Sequence, residues 1–132
     1  MTLGEPAGTI AILLCYGGSV EIEPEVRSWL EKLDDDAFGQ AQFYIDLLER
    51  EGVGLGEPYT RQLRGKLREL RFYVGRERYR ITYYIAKGRR IILLTLFRKS
   101  APREVAEIAR AEVAMARCVG EGHIAVEADD AD

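Results

Sequence analysis

Histidine and cysteine are scarce in this chain of 132 residues. It has one histidine, His123, and two cysteines, Cys15 and Cys118, which stand far apart. Structural zinc sites need cysteine and histidine at short spacings, and triad hydrolysis needs a histidine beside its nucleophile. The sequence therefore argues against both kinds of chemistry. It favours two buried thiols over a disulfide.

Long apolar segments are also lacking. The one near the start, residues 9–16, has eight residues and no basic leader before it. A membrane helix needs about 20 apolar residues, and a signal peptide needs a basic leader. With 47% hydrophobic and 31% charged residues, the composition is that of a single soluble domain. We therefore expect a cytoplasmic protein without a membrane partner.

The charges are segregated along the chain, although the net charge is only −3. Residues 61–103 hold 14 Lys/Arg and 2 Asp/Glu, whereas residues 1–60 hold 3 and 12, and residues 104–132 hold 2 and 8. A concentrated block of positive charge favours a polyanionic partner, because each phosphate contact releases counterions. The alternative is a solvated sheet face with ordinary surface arginines.

Three consecutive antiparallel strands are predicted, over residues 67–74, 79–86 and 90–98. Apolar and polar residues alternate in the first two, and the third is a more continuous apolar run. Gly75 and Gly88 lie in the short stretches between them, where a hairpin turn needs a residue that tolerates positive φ.

The alternation of side chains assigns two faces to these strands. The core face is predicted to hold Leu70, Phe72, Val74, Ile81, Tyr83, Ile85, Ile92, Leu94 and Leu96. The opposite face is predicted to hold Glu69, Arg71, Tyr73, Arg80, Thr82, Tyr84, Thr95, Phe97 and Lys99. A shift of one residue in any strand would exchange its faces.

The rest of the chain predicts helices around this sheet. A first helix begins at Pro24, and a second, capped within residues 34–36, runs from about residue 37 to 50. Together they form a hairpin that covers one face of the sheet. With a buried strand at residues 9–16, we predict an α+β fold: a small antiparallel sheet of about four strands, this hairpin, and a C-terminal helix.

The C-terminal helix is predicted from Pro102 to about residue 119, with an apolar stripe from Val105 to Cys118 or Val119. Residues 1–119 then form one domain, in which residues 1–8 are a loose leader. Residues 120–132 are acidic, and we expect them to be a disordered tail.

The opposite face offers chemistry built from arginine, lysine, tyrosine and Glu69. Such a set suits cleavage of a phosphodiester by an RNA 2′-hydroxyl, where the rate comes from in-line orientation and from neutralising a phosphorane. Arginine is permanently charged and bidentate, and aromatic rings stack on unpaired bases. The predicted RNA-binding residues are Arg64, Lys66, Arg68, Tyr73, Arg78, Phe97 and Arg98.

Three short patterns, in their order and spacing, resemble a known group of proteins. These are residues 63–71 (LRGKLRELR), 79–81 (YRI) and 97–99 (FRK). Over about residues 10–118 the chain resembles the HigB-type, phage-derived members of the RelE/ParE toxin superfamily. The resemblance implies a RelE-like fold and a bacterial type II toxin that cuts mRNA on the ribosome without a metal. It also implies a cognate helix-turn-helix, HigA-like antitoxin.

The resemblance also implies roles for individual residues. Arg80 matches the arginine that steadies the scissile phosphate, Lys99 lies near the basic residue that assists the leaving oxygen, and Arg71 matches a basic residue that activates the nucleophile. We expect Tyr84 or Glu69 to move the proton.

The chain departs from the RelE pattern at two of these positions. Glu69 replaces a second lysine, and Val105 stands near the place of a helical tyrosine. Two alternatives therefore stay open. One is a non-catalytic inhibitor of DNA gyrase like the ParE toxins, and the other is a decayed toxin that retains only antitoxin binding.

Overall fold

The computed structural model describes residues 20–100, Pro102 and residues 104–120. In chain order the elements are β1 Val20–Ile22, α1 Pro24–Glu31, α2 Asp35–Glu51, β2 Thr60–Arg64, β3 Leu67–Val74, β4 Glu77–Ala86, β5 Arg90–Arg98 and α3 Val105–Gly120. The predicted α+β class is confirmed. The strand predicted at residues 9–16, the leader and residues 121–132 of the tail lie outside the described residues. None of the helices described is long and apolar enough to cross a membrane.

The five strands form one sheet in the order β1-β5-β4-β3-β2. β1 runs parallel to β5, and the other neighbours are antiparallel. The predicted meander β3-β4-β5 is confirmed, with β4 beginning two residues earlier than predicted. β1 and β2 were not predicted as strands, because three and five residues give too little alternation to stand out.

The helices lie on both faces of the sheet. α1 and α2 cover the face that carries Leu70, Phe72, Ile81, Tyr83, Ile91 and Leu93, and together they enclose the larger core. α3 covers part of the opposite face, where Ala111 and Cys118 pack with Leu67, Tyr84, Ile92 and Leu94. The predicted helical hairpin on one face is thus confirmed, and the sheet has a second, smaller core.

A β-bulge corrects the predicted face of β5. Thr82 pairs with Thr95, but the next residue, Tyr83, pairs with Leu93, so Leu94 is an extra residue. Ile92 and Leu94 therefore belong to the core beneath α3, and their predicted place with Leu70 was wrong. Leu96 keeps its predicted face and packs against the larger core.

The helix ends follow from capping chemistry. Pro24 is the first residue of α1, as predicted, and α2 begins at Asp35 because the Asp34 side chain accepts a hydrogen bond from the Ala37 backbone N–H at 2.8 Å. Gly52 ends α2 with a φ of 52°. In α3, Val105 was wrongly assigned to the apolar stripe, because it is 64% exposed.

Beyond the short strand β1, side chains form hydrogen bonds with the backbone groups at the edge of β5. The Leu96 backbone N–H donates to Glu25 Oε2 at 3.0 Å, and the Leu96 carbonyl accepts from Arg110 Nη2 at 3.2 Å. Glu25 and Arg110 also pair with each other. This three-residue contact connects α1, β5 and α3.

We predict that Asp34→Ala lowers the free energy of unfolding by about 1 kcal/mol, because the first turn of α2 loses its capping acceptor. Urea denaturation followed by circular dichroism measures this. Asp34→Asn is the matched control, since asparagine caps as well as aspartate and should stay within a few tenths of a kcal/mol. Equal losses in both variants would contradict the capping role.

Candidate active site

The register of β3, β4 and β5 brings three charged or aromatic side chains into one row. Arg71 lies opposite Arg80, and Arg80 lies opposite Phe97. Residues directly opposite each other in antiparallel strands share a face, so the three side chains are neighbours. Two neighbouring arginines repel each other, and an anion that lies near both offsets this repulsion.

Glu69 supplies that anion. Its Oε2 lies 3.6 Å from Arg71 Nε and 3.6 Å from Arg80 Nε. Glu69 and Arg80 are buried, at 7% and 5% exposure, and the Arg80 guanidinium also donates from Nη1 to the Tyr79 carbonyl at 3.2 Å. The carboxylate and the two guanidinium groups therefore form a compact, mostly desolvated cluster.

Burial acts on the proton affinity of both buried groups. Desolvation raises the pKa of Glu69, opposed by the positive charges of Arg80, Arg71, Arg61 and Lys99. Desolvation also lowers the pKa of Arg80, opposed chiefly by Glu69. Four cations are thus close enough to act on one buried carboxylate.

Lys99 reaches this cluster from the end of β5. Its backbone N–H donates to the Arg78 carbonyl at 2.8 Å, and its Nζ lies 3.7 Å from Glu104 Oε2. Glu104 also accepts from the Ser100 backbone N–H at 3.0 Å. The Lys99 ammonium is therefore held in place, with its side chain 14% exposed.

The surface above the cluster is only partly covered. Tyr73, 54% exposed, lies opposite Arg78, which is also exposed, and the Arg71 side chain is 28% exposed. Arg71 Nε is buried and forms no hydrogen bond with any residue that the structure describes. Phe97, at 7% exposure, is a buried neighbour.

Tyr84 is not part of this cluster. It is 6% exposed beneath α3, and its hydroxyl donates to Cys118 Sγ at 3.3 Å. Desolvation and this hydrogen bond raise the pKa of Tyr84. Tyr84 follows Arg80 by four residues on β4, which corresponds to about 13 Å along a strand.

Four of the predicted RNA-binding residues also lie elsewhere. Arg64 pairs with Glu112 of α3, and Lys66 is exposed in the β2–β3 turn. Arg68 lies on the other face, where it donates to Tyr83 Oη and Thr60 Oγ1. Arg98 is opposite Tyr79 on that same face and pairs with Glu77.

The structure thus brings together Glu69, Arg71, Tyr73, Arg78, Arg80, Phe97 and Lys99. It adds a residue that was not singled out: Arg61 of β2 lies opposite Glu69. No signal in the sequence singled it out, because the five-residue segment TRQLR shows no regular alternation of apolar and polar residues. No group of three or more His, Cys, Asp or Glu side chains within residues 20–100 and 104–120 is arranged to hold a metal ion.

Residues 28–117 match the family of phage-derived Gp49-like proteins (DUF891). The chain belongs to this family. The Gp49-like family is a RelE/ParE-like toxin family of toxin–antitoxin systems, so the resemblance to that superfamily is confirmed and an antitoxin partner is implied. The matched residues include the whole cluster around Glu69. A search of curated proteins found no match to the chain.

We predict that wild-type protein loses stability relative to Glu69→Gln as the pH rises above about 4.5, the ordinary pKa of glutamate. Because the folded-state pKa of Glu69 is raised, the folded protein holds this proton more tightly than the unfolded chain. The free energy of unfolding therefore falls through the interval between 4.5 and the raised folded pKa, and then levels off.

Urea denaturation at a series of pH values measures this difference. Glu77→Gln is the matched control, because Glu77 pairs with Arg98 on the surface and both side chains are more than half exposed. A difference between wild type and Glu69→Gln that is independent of pH would contradict the raised pKa.

Proposed function

We propose that this Gp49-like protein is a HigB-type toxin that cleaves mRNA on the ribosome by attack of a 2′-hydroxyl on the adjacent phosphate. One observation carries the proposal: Arg71 and Arg80 both lie 3.6 Å from the buried carboxylate of Glu69, and the positive charges of Arg61 and Lys99 also act on it. An excess of fixed positive charge in a partly desolvated site suits a dianionic phosphorane.

The cations differ in access, and their roles differ accordingly. Arg71 and Lys99 are partly exposed and would contact the phosphate oxygens, whereas Arg80 forms the floor of the site. The exposed part of the Arg71 side chain is the part that a phosphate oxygen would contact. Arg80 would act on the phosphorane from below, in a low-dielectric setting where its charge has a strong effect.

Proton transfer is assigned to Glu69 and Lys99. Glu69 takes the proton of the 2′-hydroxyl as the bond from O2′ to phosphorus forms, and Lys99 gives a proton to the departing O5′ as its bond to phosphorus breaks. The products are a 2′,3′-cyclic phosphate and a 5′-hydroxyl. A general base works best with a pKa near the working pH, so burial of Glu69 favours this role.

The RNA is held by aromatic and basic residues next to the cluster. Tyr73 offers an exposed ring for base stacking, and Arg78 opposite it offers a charge for the backbone. The same basic surface is the one that a HigA-like antitoxin would cover to prevent cleavage, since complementary charge promotes such binding.

A second candidate function is non-catalytic inhibition of DNA gyrase, as in the ParE toxins. This function requires no contact between a substrate and Arg80, whose side chain is only 6% exposed. Tyr84 lies beneath α3, so only one of the two residues predicted to move the proton, Glu69, lies at the cluster. This also favours the non-catalytic function.

We predict that Arg71→Ala and Arg80→Ala abolish growth arrest when expressed from an inducible promoter in a bacterial host, because each removes charge that stabilises the phosphorane. New mRNA 5′ ends, mapped by primer extension with ribosomes present, should appear with wild type only. Arg50→Ala, which removes an exposed arginine on α2, is the matched control and should arrest growth as wild type does.

Circular dichroism separates loss of function from loss of fold, and Arg80→Lys serves where the alanine variant does not fold. Growth arrest by wild type without new mRNA ends would replace the endonuclease with the gyrase inhibitor. Full cleavage by a folded Arg71→Ala variant would contradict the site.

We further predict that Tyr84→Phe cleaves mRNA at the wild-type rate, because the Tyr84 hydroxyl contacts Cys118 beneath α3 rather than the cluster. Ribosome-dependent cleavage of a purified mRNA measures the rate. A loss on the order of 100-fold, the usual effect of removing a general acid or base, would place Tyr84 in the reaction instead.

A further inference from the structure

A groove lies between the first half of α2 and the end of β3, away from the cluster around Glu69. It has a volume of about 520 Å³ and is lined by Asp35, Asp36, Gly39, Gln40, Phe43, Tyr44 and Tyr73. We call it the α2 groove. Its lining combines aromatic rings with two carboxylates, and none of the described residues that line it is basic.

The aromatic side chains at the α2 groove are unusually exposed. Phe43 is 57% exposed and Tyr73 is 54% exposed. The Phe43 ring contacts Tyr44 edge-on, with centroids 5.1 Å apart, and Tyr44 contacts Tyr59, which is 40% exposed, at 6.4 Å. Exposed apolar side chains that form a connected patch mark an interaction surface, whereas single ones do not.

The carboxylates of the α2 groove are available to a cation. Asp35 and Asp36 lie in the first turn of α2, where negative charge favours the helix dipole, and both are exposed. Neither forms an ion pair within the part of the chain that the structure describes. A cation that reaches them can also contact the Phe43 and Tyr73 rings of the same groove, and aromatic faces attract cations.

The backbone of β3 is open at the groove. Beyond the last residue that β2 pairs with, the Arg71 N–H donates to the Tyr59 carbonyl at 2.8 Å, and the Gly75 N–H donates to Gln40 Oε1 at 2.7 Å. Alternate residues of a strand direct their backbone groups to the same side, so those of Tyr73 point outward between these two bonds. No strand among the described residues pairs with Tyr73 on that side.

We propose that the α2 groove binds a short, extended, basic segment of a protein partner. The backbone of the segment pairs with the outward backbone groups of Tyr73, as in other cases where a peptide joins an open sheet edge. An arginine or lysine side chain of the segment contacts Asp35 and Asp36 and lies against the Phe43 ring. One occupant thus matches the open backbone, the carboxylates and the rings.

Two other occupants match fewer of these features. RNA bases would stack on the rings, but the carboxylates of Asp35 and Asp36 repel phosphates. A second copy of this chain carries its cations around Glu69 in a partly buried part of the sheet, which cannot project into a groove. A protruding segment with positive charge fits better than either.

This binding goes beyond the proposed cleavage of mRNA. α2 covers the face of the sheet opposite to the cluster around Glu69, and Tyr73 is the one residue that the proposed site and the α2 groove share. Substitutions at Asp35, Asp36 and Phe43 therefore leave the proposed catalytic residues unchanged. A binding assay tests the proposal without any measurement of toxin activity.

Nuclear magnetic resonance titration of the isotope-labelled full chain provides this test. The probe is a synthetic peptide of alternating arginine and threonine. We expect shifts of backbone amide signals to concentrate at Gly39, Phe43, Tyr73 and Gly75. The same peptide with glutamate in place of arginine should cause no such shifts, because the carboxylates of the groove repel it.

Two variants locate the binding site. Phe43→Ala and Asp35→Asn/Asp36→Asn should each weaken binding of the arginine peptide by about threefold or more. The matched controls are Val53→Ala and Glu31→Gln, which change exposed side chains outside the α2 groove and should bind as wild type does. Circular dichroism confirms that each variant is folded.

Several results would overturn the proposal. One is the absence of shifts at the α2 groove, and another is wild-type affinity in both groove variants. Shifts at Gly39 and Phe43 with oligouridine but not with the arginine peptide would make the groove an RNA-stacking surface. Shifts at these residues that grow with protein concentration alone would assign the groove to a second copy of the chain.

Discussion

The contact of Glu69 with Arg71 and Arg80 is the interaction on which the polar face of the sheet depends. The strand register sets two arginines opposite each other, an arrangement that their like charges oppose. The carboxylate 3.6 Å from each Nε allows the two strands to pair there without a change of register. The proposed site for an RNA phosphate is thus built around the carboxylate of Glu69.

The position of α3 decides which part of that face is free. The extra residue Leu94 turns part of β5 toward α3, and Ile92 joins Leu94 in the small core beneath the helix. Next to Glu69 and Arg80, β5 contributes Thr95 and Phe97 to the same face. The bulge therefore separates the apolar residues beneath α3 from the charged part of the face, where Arg71 keeps partial exposure.

The sequence allowed the prediction of the meander and of most of the charged face, because alternation over eight or more residues is a strong signal. The same alternation places Arg68 on the face of the sheet that carries Leu70. In the structure Arg68 lies on that face, away from the cluster. The bulge at Leu94 and the burial of Tyr84 were not predictable, since both depend on how α3 docks. β2 was too short to recognise, and Arg61 was missed with it.

The contact of Glu25 and Arg110 with the Leu96 backbone has a consequence for how this sheet meets other chains. Side chains occupy hydrogen-bonding groups of β5 that a neighbouring strand would otherwise use. Within residues 20–100 and 104–120, the five-residue strand β2 has no strand on its outer side. The other outermost strand, β1, has only three residues, so a partner that extends the sheet by one strand has the longer edge to pair with at β2, which carries Arg61.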